Sequence, residues 1–119
     1  MKENALIILS KQFAIDIINL CGEVKKRSGN SLYDQLLRAG TSIGANVHEG
    51  NYASSRADFI NKFRIALKEC YETEYWMDIF KEAGWIKEPE HKAYKAKCSK
   101  IRIMLIASIK TADSAEHKK

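Results

Sequence analysis

The sequence has 119 residues, 45% of them apolar and 29% charged, with a single proline, Pro89. These values fit one globular domain and favour long helices, because proline is the strongest helix breaker. The longest early apolar run, Ala5 to Leu9, is too short for a signal peptide or a membrane span, so we expect a cytoplasmic protein with no membrane partner. Three scattered cysteines without a Cys-x-x-Cys pair argue against a disulfide framework and a cysteine-based zinc site.

The net charge of +5 is unevenly distributed along the chain. Residues 1–30 carry a net charge of +2, residues 31–87 carry −1, and residues 88–119 carry +4. The excess of positive charge therefore lies in the first and last segments, which makes their position in space important for any polyanionic partner.

The first predicted helix spans about residues 3–27. Apolar residues recur at spacings of three and four, the period of one helical face. They are Leu6, Leu9, Phe13, Ile17, Leu20 and Val24. The last turn carries Lys25, Lys26 and Arg27, whose charges suit a helix C-terminus, and Gly29 is the expected C-cap.

The second predicted helix spans about residues 31–50, with Ser31 and Asp34 as a capping box. Beside its apolar stripe runs a polar row, namely Gln35, Arg38, Ser42, Asn46 and Glu49. Because buried polar groups need partners, we interpret the row as a structural hydrogen-bond ladder, with a ligand or metal site as the weaker alternative. Gly40 and Gly44 have the spacing of a close helix contact.

The third predicted helix spans about residues 55–83, capped by Ser55 and ended by Gly84. A heptad-like seam beginning at Phe59 forms its predicted buried face. If helices two and three are antiparallel, Arg38 lies level with Glu69 and Glu72, which predicts an ion pair between the two helices.

The fourth predicted helix spans about residues 89–113, with Pro89 in its first turn and Ser108 on its buried seam. Together the four segments predict an all-α, up-down-up-down antiparallel four-helix bundle. Ile103 and Ile106 lie opposite the seam, and helix one is apolar all round from Ala5 to Leu9. We therefore expect self-association, the alternative being an unusually large monomer core.

No catalytic or metal-binding constellation emerges from the sequence. His48 and Glu49 begin like the zinc-protease motif His-Glu-x-x-His, but Tyr52 occupies the position of the second histidine. Glu88 and His91 form one isolated Glu-x-x-His at a helix start, where we expect solvation, whereas di-iron bundles use two copies. The sequence thus predicts a protein that is not an enzyme and needs no cofactor.

In an up-down bundle the end of helix one lies beside the start of helix four. The basic residues there are Lys25, Lys26, Arg27, Lys92 and Lys95, which we expect to form a cationic cluster that contacts RNA or DNA phosphates. The alternative is an ordinary solvated surface. Trp85 and Tyr33 could add base stacking at this end, although core or interface packing is commoner for such residues.

Three segments carry a family resemblance: residues 35–50 read QLLRAGTSIGANVHEG, residues 65–76 read IALKECYETEYW, and residues 84–86 read GWI. They resemble the four-helix-bundle proteins encoded in intervening sequences of bacterial large-subunit ribosomal RNA genes. The resemblance implies a bacterial, cytoplasmic, ring-like homopentamer without enzyme activity. It marks Arg38, Ser42, Asn46, Glu49 and Gly50 as characteristic positions, which we interpret as architecture.

A related branch of that family serves as the accessory protein of diversity-generating retroelements, and its members work with a reverse transcriptase. The signature in helix two does not say which branch this chain belongs to. We therefore predict a non-catalytic, homo-oligomeric protein that associates with nucleic acid, RNA above all, through its basic surface. The competing prediction is a protein-interaction scaffold or accessory subunit without direct contact to nucleic acid.

Overall fold

The computed structural model describes residues 4–117, and they fold into four long helices without strands. The helices are α1 (Ala5–Ser28), α2 (Tyr33–Asn51), α3 (Arg56–Glu82) and α4 (Glu88–His117). Each packs against its neighbours in chain order and α1 also contacts α4, so α1 and α3 occupy opposite corners of the bundle. The predicted all-α four-helix bundle is confirmed.

Caps and glycines explain where the helices begin and end. The Asn4 side chain accepts a hydrogen bond from the Ile7 amide, and the Ser55 side chain accepts one from the Asp58 amide, as the capping pattern of α3 predicts. Gly29 ends α1 in the left-handed conformation at φ 66°, and Gly84 follows α3 at φ 84°.

The predicted capping box at Ser31 is wrong. Helix α2 begins at Tyr33, and its N-cap, Leu32, forms no side-chain cap. The Ser31 carbonyl, not its hydroxyl, accepts a hydrogen bond from the Asp34 amide, while the Asn30 side chain accepts one from the Leu32 amide. The turn after Gly29 is thus fixed by Asn30, whose short side chain reaches the backbone two residues ahead. Helix α4 also extends four residues beyond the predicted end at 113.

The core is one continuous apolar cluster that runs through all four helices. At three seam positions the buried residue is the one after the residue that the sequence predicts. Ser10 is buried in place of Leu9 and Ile60 in place of Phe59, both of which are partly buried against the core, and Ile109 is buried in place of Ser108. A straight helix has 3.6 residues per turn, so a strict heptad drifts off the buried face towards the helix ends.

Helix α1 alone is long and apolar enough to cross a membrane, judged by length and composition across the described residues. Within the bundle, its buried residues face the shared core; among them are Phe13, Ile17 and Val24. Core helices of bundles have the same composition.

Candidate nucleic-acid interface

The end of α1 is tied to the start of α4 by Arg27. Its guanidinium donates hydrogen bonds to both carboxylate oxygens of Glu90, at 2.8 and 3.2 Å, and to the Trp85 carbonyl oxygen at 3.0 Å. The hydrogen bond to Glu90 raises the pKa of Arg27, and Arg27 holds the pKa of Glu90 below its ordinary value. Arg27 is therefore committed to an internal bidentate ion pair.

The other two cations of the last turn of α1 are more accessible. Lys25 lies over the Tyr33 ring with its ammonium nitrogen 5.5 Å from the centroid. The Lys26 side chain is 78% exposed and has a long contact of 3.5 Å to Glu23. Such exposed contacts contribute little to stability, so both ammonium groups can turn to an external anion at low cost.

Lys92 and Lys95 point in different directions from α4. Lys95 donates to both oxygens of Asp78 on α3, at 2.9 and 3.1 Å, and His91 lies 2.7 Å from the same carboxylate. Lys92 is exposed on the outer surface of α4. The structure thus places the five predicted contact residues at one end of the bundle, but Arg27 faces α4 and Lys95 faces α3.

Asp78 was not a candidate in the sequence, and the expectation that His91 is solvated is wrong. The His91 side chain is only 14% exposed. Burial alone would raise the pKa of Asp78, but the hydrogen bonds from Lys95 and His91 outweigh that effect and hold the pKa below its ordinary value. Spacing within one helix cannot reveal a partner that lies across the bundle.

The two aromatic candidates for base stacking are packed against the core. The Trp85 ring lies 5.3 Å from that of Phe80, and Tyr33 lies beneath Lys25. Packing, the commoner role, therefore accounts for both residues.

Four residues of the polar row of α2 form internal contacts, whereas Gln35 is exposed at the start of the row. Arg38 pairs with Glu69 at 3.3 Å and with Glu72, which confirms the predicted ion pair between α2 and α3. Glu72 also accepts a hydrogen bond from the Trp76 indole at 3.1 Å. Further along the row, Ser42 donates to the Arg38 carbonyl, Asn46 donates to the Ser42 carbonyl, and Glu49 pairs with Lys62 at 3.1 Å.

Glycines in the same segment allow close helix approach. A Cβ atom at Gly40 would lie 2.7 Å from the Ile17 side chain, and one at Gly44 would lie 3.0 Å from the Ser10 carbonyl oxygen. A Cβ atom at Gly50 would lie 2.8 Å from the Phe63 ring. Arg38, Glu49 and Gly50 therefore contact α3, and Gly40 and Gly44 let α1 approach, in agreement with an architectural role for this segment.

Among the side chains that the structure describes, those of residues 4–115, no group of three or more histidine, cysteine, aspartate or glutamate residues is arranged to hold a metal ion. The three cysteines are buried and free. Burial and the nearby Asp34 carboxylate raise the pKa of Cys21 to about 12, and the hydrogen bond with Cys70, together with burial, raises the pKa of Cys98. High thiol pKa values suppress nucleophilic reactivity.

The fold and its contacts define the class of the protein. It is a four-helix bundle whose helices are connected by ion pairs, with a group of basic residues at one end. Residues 2–107 match the family model described as 23S rRNA-intervening sequence protein, and the chain belongs to that family. A crystal structure of a protein of unknown function from the S23 ribosomal protein family of Bacteroides thetaiotaomicron is similar, with a TM-score of 0.87 and 39% identity. The similarity covers 89% of this chain and 99% of that one. A search of curated proteins gives no match.

Proposed function

We propose that this chain is a non-catalytic, homo-oligomeric, cytoplasmic protein that binds nucleic acid, RNA above all, through its basic surface. One observation carries the proposal: the Arg27–Glu90 contact brings the cationic last turn of α1 beside the first turns of α4. The family description, 23S rRNA-intervening sequence protein, names a ribosomal RNA, which makes RNA the first ligand to test.

The contacts at this end suit binding to phosphates without reading of sequence. Lys25, Lys26 and Lys92 are exposed ammonium groups on long flexible stems. Each phosphate neutralised by such a group releases counterions, so affinity falls steeply as salt concentration rises. An interface that is mostly apolar lacks this dependence.

The test measures binding of a labelled RNA hairpin and of duplex DNA at 50 and 200 mM salt. The variant changes Lys25, Lys26, Arg27, Lys92 and Lys95 to glutamine. Because Arg27 and Lys95 hold Glu90 and Asp78, the matched control changes only these two and reports any loss of structure. Salt-sensitive binding that is lost in the full variant and largely retained in the control supports the proposal. No binding by the folded native protein contradicts it.

Self-association is supported by exposed apolar side chains on opposite corners of the bundle. On α1, Ile8, Ile15 and Ile18 are 55%, 46% and 53% exposed; on α3, Tyr71 and Tyr75 are 51% and 56% exposed. Patches that face opposite ways on one molecule pair head to tail, and such contacts generate rings when the rotation closes. The homopentamer implied by the family resemblance is an assembly of this kind.

Sedimentation of the native protein and of an Ile15→Asn/Ile18→Asn variant tests the assembly. Both side chains are exposed in the monomer, so the substitutions should leave the helices intact while lowering the stoichiometry. A native protein that sediments as a monomer would contradict the proposal.

The second candidate is a protein-interaction scaffold or an accessory subunit, with a reverse transcriptase as the partner in the retroelement branch. The same exposed apolar residues favour it, because they offer a surface for another protein. Binding of a protein partner that does not change between 50 and 200 mM salt, without binding of RNA, would favour this candidate.

A further inference from the structure

Helix α4 carries an unusual run of charge. Between Glu90 and Asp113 the sequence contains six lysine or arginine residues and no aspartate or glutamate. A solvated helix commonly alternates the two signs of charge, because pairs three or four residues apart stabilise it. Between Glu90 and Asp113, α4 has no pair of opposite charges within the helix.

Carboxylates on neighbouring helices neutralise half of these cations. On one flank of α4, Lys95 pairs with Asp78 at 2.9 Å and Arg102 pairs with Glu74 at 3.2 Å, both on α3. On the other flank, Lys97 pairs with Asp16 of α1 at 2.9 Å. The acidic partners of α4 therefore lie at its edges, and its outward face carries no carboxylate between Lys92 and Lys110, although the exposed Glu88 lies one turn before Lys92.

The remaining cations, Lys92, Lys100 and Lys110, share this outward face. Exposed positions recur every three or four residues as Lys92, Ala96, Lys100, Ile103, Ala107 and Lys110, which places them on one side of the helix. At 1.5 Å per residue the lysines stand about 12 and 15 Å apart along α4. We call these six residues the α4 stripe.

We propose that the α4 stripe is the track along which a nucleic-acid backbone lies, with Lys92, Lys100 and Lys110 contacting separate phosphates along it. This inference rests on the proposed function and extends the contact from the end of the bundle along α4 as far as Lys110. A row of one sign, with no carboxylate between its first and last lysine, attracts a polyanion over its length of about 27 Å.

The chemistry of the stripe favours nucleic acid over an anionic membrane. Helices that lie in a membrane interface insert a face of large apolar residues between the headgroups. The α4 stripe offers one large apolar side chain, Ile103, flanked by alanines, because the apolar face of α4 is used in the bundle core.

The experiment uses a Lys100→Gln/Lys110→Gln variant, which leaves every residue of the bundle end intact. The control, Lys11→Gln/Lys68→Gln, removes the same charge from exposed positions on α1 and α3. Affinity for a labelled duplex is measured at 50 and 200 mM salt, with phosphatidylglycerol vesicles as a separate ligand. The salt slope is the decrease in the logarithm of the binding constant per tenfold increase in salt concentration. Loss of two phosphate contacts should reduce this slope by about 1.8, so the drop in affinity between 50 and 200 mM salt should be about 12-fold smaller than for the native protein.

A reduced slope in the stripe variant together with an unchanged slope in the control supports the inference. The inference is overturned if the stripe variant binds like the native protein while the five-residue glutamine variant described under Proposed function loses binding. That result would leave the proposed function standing. Equal losses in the stripe variant and the control overturn the inference by showing that only net charge matters. A native protein that binds vesicles but no nucleic acid overturns both.

Discussion

Helices α2 and α4 lie at opposite corners of the bundle and use their polar residues in opposite ways. On α2 the charged members of the polar row, Arg38 and Glu49, pair with α3, and glycines let α1 and α3 approach the backbone. On α4 the flanks are paired, whereas the outward lysines face solvent. The family signature in α2 therefore contributes to helix packing, whereas α4, which lies outside the signature segments, carries the exposed positive charge.

The largest effect on stability is expected from adding a side chain to α2 where its backbone contacts α1. Gly40→Ala would place a Cβ atom 2.7 Å from the side chain of Ile17, which is fully buried. We expect the free energy of unfolding in urea to fall by about 2 to 3 kcal/mol, as in other overpacked cores. Gly22→Ala is the matched control, because a Cβ atom there meets nothing within 4 Å, and it should stabilise α1 by up to about 1 kcal/mol. Equal effects at the two glycines would contradict the architectural role of α2.

Removing the ion pair between α2 and α3 should have the next largest effect. Arg38→Gln leaves Glu69 and Glu72 facing each other without a cation, and their side chains are 17% and 35% exposed. We expect a loss of about 1 to 2 kcal/mol in urea unfolding, reduced from the value for a fully buried pair by solvent screening.

The matched rescue adds Glu69→Gln and Glu72→Gln to the Arg38 variant, which removes the repulsion between the two carboxylates. It should recover part of the loss. If the rescue leaves stability unchanged, the repulsion between the carboxylates is negligible.

A smaller effect is expected where α4 meets α1. Glu90→Gln removes a bidentate partner of Arg27 and should cost about 1 kcal/mol at pH 7. Because folding lowers the pKa of Glu90 from 4.5, this contribution is present above pH 4.5 and is lost as the pH falls through the lower folded value. Denaturation of both proteins from pH 7 down to pH 2 should show the difference vanish, and a difference that persists in acid would show that it is not electrostatic.

The smallest effect on stability is expected from the α4 stripe itself. The variant Lys92→Gln/Lys100→Gln/Lys110→Gln changes exposed side chains only. Its free energy of unfolding, measured by thermal denaturation, should therefore differ from the native value by less than about 0.5 kcal/mol. A large loss would mean that these lysines belong to the scaffold, and the contrast between α2 and α4 would disappear.

Periodicity within each helix was enough to predict most of this architecture. The four helices follow from spacings of three and four, and the Arg38 ion pair follows from antiparallel register. The errors have two causes. Ser31 matches a capping box, but the local turn at Asn30 replaces it, whereas spacing within α4 carries no information about Asp78, which contacts His91 from thirteen residues earlier in the chain. The neutralised flanks of α4 were unpredictable for the same reason, since the partners lie on α1 and α3.

The opposite orientation of the exposed faces of α1 and α3 has a consequence for binding strength. If the protein assembles as the proposed head-to-tail ring, rotational symmetry would bring the same surface of every copy into an equivalent position, and each additional subunit would present another α4 stripe to one long polyanion. Once the first stripe was bound, the others would meet the ligand at a high effective concentration, and weak individual contacts would add up to strong avidity. A substitution on α4 would then act once in every subunit, and its effect on a long nucleic acid would far exceed its effect on a short one.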